Sequence, residues 1–174
     1  MEKFALYLAL LTIYENNCRQ LHWKLSGKGF HTAHERFGTY YDQLGTFMDE
    51  TAEQAITMNQ SPVNVSDALK LVQESDVDAI LINGAEDYCG KSANVAAYKM
   101  LTQLYNLATE ILKDESLAED VRDVFMGHAK WYRIEGLYKL GRALTHPDGP
   151  RHGGPGHHEE PPEATTDDDE EDDD

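Results

Sequence analysis

Apolar positions at the start of the chain recur at helical intervals. Tyr7, Leu11, Tyr14, Cys18, Leu21 and Leu25 alternate gaps of four and three, one stripe along one helix, and a Gly-containing turn at residues 26–29 ends it. A second periodic run from Phe30 carries Phe37, Tyr41, Leu44, Met48, Ala52 and Ala55/Ile56 until residues 59–62 stop it. So short a turn predicts an antiparallel hairpin. Residues 62–82 form a long connection, with a short helix expected at 66–72. Asn83 and Glu86 have capping-box spacing and predict the start of a third helix, whose core face is Ala97, Leu101, Leu104, Ala108 and Ile111. Ser116 and Glu119 repeat that spacing before a fourth, which carries Val121, Val124/Phe125, His128, Trp131/Tyr132 and Leu137 and stops before Pro147. No segment alternates convincingly as a strand.

Four long amphipathic helices with one long crossover, between the second and third, describe an all-α, ferritin-like four-helix bundle with a short extra helix in the crossover. One domain over residues 1–145 is expected. From 146 to 174 the chain is Pro, Gly, His, Glu and Asp without an apolar face, which predicts a disordered, His-containing acidic tail. Charge follows the same division: of the net −17, the tail contributes −11 and the bundle −6. With no basic arm or Arg-rich stripe, the chain lacks the footprint of a nucleic-acid binder, and the tail is expected to act as a solubilising charge brush. Cys18 and Cys89 form no CxxC pair or disulfide framework, which suits a reducing compartment. The apolar run at residues 4–14 has no basic leader and no small-residue cleavage site, and no run reaches membrane-spanning length. A soluble cytoplasmic protein is expected.

The candidate chemistry lies in the first two helices. His34, Gly38, Asp42, Gly45, Asp49 and Glu53 follow at steps of four, four, three, four and four, and so share one face. Asp49 and Glu53, one turn apart, offer hard oxygen donors that, beside imidazole nitrogen, suit ferrous iron. Fifteen residues of helix separate His34 from Asp49 by roughly 22 Å, so the two cannot meet within one chain. Either they are unrelated, or a second copy of the helix runs antiparallel and brings its acids to the histidine. The second arrangement puts a twofold axis near residues 41–44. Gly45 beside it would permit close backbone approach, at about 1 kcal/mol of helix propensity against alanine. His22, at the end of the first helix in the same hairpin, is placed to complete each site.

The run from His22 to Glu53, with HW, a Gly-containing turn, F-x-x-x-HE and D-x-x-x-E, resembles the Dps family of mini-ferritins (DNA-binding proteins from starved cells). The likeness is strongest over residues 14–60, and the helical plan extends it to about residue 144. It implies ferroxidase centres between twofold-related subunits, with His22 and His34 from one and Asp49 and Glu53 from its mate. It also implies a hollow homo-oligomer, a dodecamer, that oxidises Fe(II) with hydrogen peroxide or, less efficiently, dioxygen and stores the ferric mineral, with zinc as a competing metal. Gly38 departs from the family pattern, in which many members carry an acid four residues after the second histidine. That position then falls to water, Asp42 or His31. Trp23 and Tyr41 are expected as interface and core aromatics, and His128 and Trp131 as bundle packing. DNA binding is doubtful because the tail repels phosphate. The competing readings are a DNA-binding nucleoid-protection protein and a non-catalytic metal-binding assembly.

Overall fold

The computed structural model describes residues 2–145, so the expected tail at 146–174 lies outside the described residues. Helix α1 (Glu2–Lys24) leads through a two-residue strand, β1 (Leu25–Ser26), and a tight turn into α2 (Phe30–Thr57). The turn is possible because Gly27 and Gly29 both take positive φ, 69° and 83°, where a Cβ would be strained. The crossover carries α3 (Val65–Glu74) and β2 (Tyr88–Cys89), and α4 (Gly90–Ile111) follows. Then α5 (Glu119–Tyr132) runs through a π-helical stretch (Arg133–Leu140) into α6 (Gly141–Thr145), with helical backbone at both junctions, making one rod. These rods give the ferritin-like four-helix bundle, with α3 as the short helix of the crossover.

The first stripe is the core as read: Tyr7, Leu11, Tyr14, Cys18 and Leu21 have no exposure. Because α1 packs against α3 as well as α2 and α4, it also buries Leu8, Ala9, Leu10 and Ile13. The α4 stripe is buried as expected, from Ala97 to Ile111. Asn64 caps α3, its side chain accepting from the Asp67 N–H at 3.0 Å.

Elsewhere the structure corrects the sequence reading. In helix α2 Phe37, Leu44 and Ala55 are buried as read, but Tyr40 and Phe47 are buried where Tyr41 and Met48 were expected, these two lie only partly buried at the edge of the core, and Ile56 is exposed. Both sets have helical spacing; the two aromatics prevail because they pack edge-on against Trp131 at 5.4 and 5.6 Å. Asn83 does not open the third helix. Its Oδ1 accepts from the Ala85 N–H and its amide donates to Glu86, closing a local turn. The chain then pairs Tyr88 and Cys89 with Leu25 and Ser26 in a parallel bridge too short for any alternation to betray it. Cys89 is the N-cap of α4. Nor does Ser116 cap α5: its N–H and hydroxyl both bond Asp114, and Ala118 holds the cap position without a side-chain bond. In the π stretch Gly136 and Leu140 are buried in place of Leu137. A Cβ on Gly136 would lie 2.8 Å from the Leu101 Cβ, so only glycine lets the rod pass α4 this closely.

Candidate metal centre

The hairpin turn sets the end of α1 beside the start of α2, and two imidazoles meet there. The His22 and His34 rings stand 3.7 Å apart between centroids, and both residues are half-buried. The Tyr41 ring meets His22 edge-on at 5.4 Å and the Phe30 ring lies 5.1 Å from His34. His22 Nδ1 is 2.9 Å from the backbone carbonyl of His34. A carbonyl only accepts, so Nδ1 carries the proton, and the lone pair of the neutral ring is on Nε2. A backbone acceptor that fixes one nitrogen and orients the other is the usual support of a histidine ligand.

Gly38 is one turn after His34. A Cβ there would lie 3.7 Å from His22 Cε1, an ordinary contact, so the glycine leaves space over the imidazole without being sterically required. Asp49 and Glu53 are exposed farther along the same uninterrupted helix. Among the described residues, no three His, Cys, Asp or Glu side chains of one chain gather to hold a metal. The single chain thus unites His22 with His34 and leaves Asp49 and Glu53 apart from them. His31 is exposed, its ring edge-on to Phe30 at 5.3 Å. Asp42 lies near Arg19, whose guanidinium pairs with Glu15, sits 4.6 Å over the Tyr41 ring and is held above its usual range, chiefly by Glu15. Trp23, beside His22 in sequence, is 62% exposed.

A second polar group lies inside the bundle. His128 is buried, with the Tyr7 hydroxyl 3.1 Å from Nδ1 and a Glu50 carboxylate oxygen 2.7 Å from Nε2; Tyr7 in turn bonds the Tyr132 hydroxyl at 2.7 Å. Phe47 lies against the imidazole at 3.9 Å. Burial pushes the His128 pKa down, with Glu50 opposing, and pushes both tyrosines up. The sequence placed His128 in the bundle, but its partnership with Glu50 had no local signal: they are 78 residues apart.

No family model matches the sequence. Among curated proteins, General stress protein 20U of Bacillus subtilis is 28% identical over 110 residues, 61% of this chain and 67% of that protein. The DNA protection during starvation protein of Listeria innocua is 34% identical over 55 residues, 32% of this chain and 35% of the relative, so that match spans only about a third of its length. Among solved structures, Dps of Mycobacterium smegmatis superposes with a TM-score of 0.69 at 18% identity, covering 81% of this chain and 82% of that one. Dps of Staphylococcus aureus gives 0.68 at 17%, covering 82% and 92%. The superpositions establish the fold, that of the ferritin-like bundles. The sequence matches add a likeness to DNA protection during starvation proteins over about a third of the chain.

Proposed function

We propose that this chain is a mini-ferritin subunit that oxidises Fe(II) at centres shared between twofold-related copies and stores the ferric product in a hollow homo-oligomer, a dodecamer, in the cytoplasm. The observation that supports this reading is a pair of imidazoles beside the start of α2 and a pair of carboxylates towards its end. His22 and His34 stand together at the hairpin, and Asp49 and Glu53 lie exposed farther along α2, roughly 22 and 28 Å from His34. An antiparallel α2–α2 pairing across residues 41–44 brings each pair to its complement, with Gly45 near the crossing. The donor set fits the substrate, since neutral imidazole with carboxylate suits Fe(II) and also admits zinc as a competitor.

In the overall reaction two Fe(II) ions each give one electron to hydrogen peroxide, whose O–O bond breaks. With two protons taken up, two Fe(III) ions and two waters result, and no hydroxyl radical is released. The chain's own part is to supply His22 Nε2 as a lone-pair donor, held by the His34 carbonyl, and to fix the approach of its partners. Asp42 and His31 are secondary candidates for the position that Gly38 leaves without an acid.

The test is subunit complementation. Neither His22→Ala/His34→Ala nor Asp49→Ala/Glu53→Ala subunits should oxidise iron alone, while reassembled mixtures should recover activity because hybrid dimers keep one intact site. Verified hybrids without activity would rule out the shared centre. Gly38 favours one second reading, a metal-binding assembly that does not turn over. Anaerobic Fe(II) titration followed by peroxide separates the two, because the second reading predicts binding with no rapid oxidation.

A further inference from the structure

A pocket of about 430 Å³ opens where the starts of α2 and α4 meet the end of α6, lined by Lys28, Arg36, Cys89, Lys91, Asn94 and Leu144 among others. Its walls hold three cations and no acid. Among the described residues none of the three makes an ion pair, and Arg36 is bonded only to the neutral Asn94 amide oxygen, at 2.8 Å. No side chain caps α2; the Phe30 N–H bonds the Gly27 carbonyl at 3.2 Å, and the pocket wall at Thr32 lies in the first turn, at the positive end of a 28-residue helix. In a chain of net charge −17, three clustered cations with no acid among them attract an anion.

The chain itself supplies one. The described residues end at Thr145, next to the pocket wall at Leu144, and 29 residues follow, with eleven acids among residues 159–174. A Pro/Gly-rich connection of the length of residues 146–158 reaches on the order of 20 Å, enough to return to the pocket from its rim. Tethering at that distance gives an effective concentration on the order of millimolar, which a dilute free anion does not match. We propose that the acidic end of this chain, residues 159–174, docks in this pocket, its carboxylates facing Lys28, Arg36 and Lys91 at the positive end of α2.

Cys89 is exposed in the pocket wall, whereas Cys18 is buried and silent, so thiol labelling reports on occupancy. Bonds from Ser92 and backbone N–H groups at the start of α4 hold the Cys89 thiol below its usual range, which aids detection. The experiment measures Cys89 alkylation by the neutral reagent N-ethylmaleimide on the assembled full-length protein. It uses the plateau rate at high pH, so that thiol ionisation does not contribute. Changing the eleven acids of residues 159–174 to Asn or Gln should raise that rate about fivefold, and so should Lys28→Gln/Arg36→Gln/Lys91→Gln, with no further gain when the two are combined. Salt at about 0.5 M should speed the native chain and neither variant. Unchanged rates, or effects that multiply, would overturn the proposal. Equal protection of the native and neutralised-tail proteins by about 10 mM inorganic phosphate would assign the pocket to a free anion instead, on the effective-concentration argument.

Discussion

His22 and His128 lie in one bundle and have opposite chemical prospects. Both His128 nitrogens are occupied, one by the Tyr7 hydroxyl and one by Glu50, and aromatic rings close over the imidazole. His22 uses one nitrogen on a backbone carbonyl and keeps the other. A carboxylate nearby therefore does not make a histidine a ligand: His128 has one at 2.7 Å and is sealed by it. What His22 offers a metal is an uncommitted nitrogen on a ring held in place.

The sharpest way to break this contrast is to remove each histidine. His22→Ala should lower the Fe(II) oxidation rate on the order of 100-fold while leaving the urea midpoint nearly unchanged. His128→Ala should leave the rate within about twofold but destabilise the bundle by about 2–3 kcal/mol, because it removes packed volume and strands polar partners. Stopped-flow oxidation and equilibrium unfolding read the two effects separately, and equal rate losses in both variants would erase the distinction.

Acid sharpens it further. The folded state holds His128 neutral, below its ordinary pKa, so the unfolded state binds the extra proton first. This contribution to stability is therefore complete above about pH 6.5 and declines as pH falls below it. Urea midpoints at pH 7.5 and 5.5 should differ more in the native chain than in His128→Gln.

A smaller effect is expected at Gly45. Within one chain a Cβ there meets nothing within 4 Å, and Gly127 is equally open. Without a partner, Gly45→Ala would stabilise α2 by about 1 kcal/mol through helix propensity alone. If α2 crosses its own copy at this point, Gly45→Leu should reduce particle mass and melting temperature, whereas Gly127→Leu should not. Unchanged values for both would remove the close approach. The smallest effect concerns DNA. Cutting after Leu144 leaves subunits still net negative and every proposed ligand in place, so gel-shift affinity in magnesium-free buffer should stay weak and ferroxidase activity unchanged.

What the sequence made legible is what depends on neighbours a few residues away. The α1 stripe, the turn at two positive-φ glycines and the meeting of His22 with His34 follow from local spacing. Tyr40 against Tyr41 did not, because a 3–4 pattern tolerates a rotation of one residue, and only rings from α5 decide it. Asn83 and Ser116 had capping spacing but spent their hydrogen bonds on nearer turns. The burial of Gly136 against Leu101 had no local signal either, being a contact between distant segments. Whether Asp49 and Glu53 join the histidines is a property of two chains, beyond one sequence or one subunit.

The parallel bridge between Leu25–Ser26 and Tyr88–Cys89 bears on the order in which the molecule assembles. Closing a loop of 63 residues between Leu25 and Tyr88 costs on the order of 3–4 kcal/mol of chain entropy, so this pairing waits until the intervening helices have condensed. His22 and His34 are only twelve residues apart, so bringing them together closes a far shorter loop. During synthesis the imidazole pair can therefore form before α4 has left the ribosome, with the bridge locking the turn afterwards. A nascent chain halted near residue 110, with α2 outside the ribosome and α4 still inside it, should already hold the two rings together.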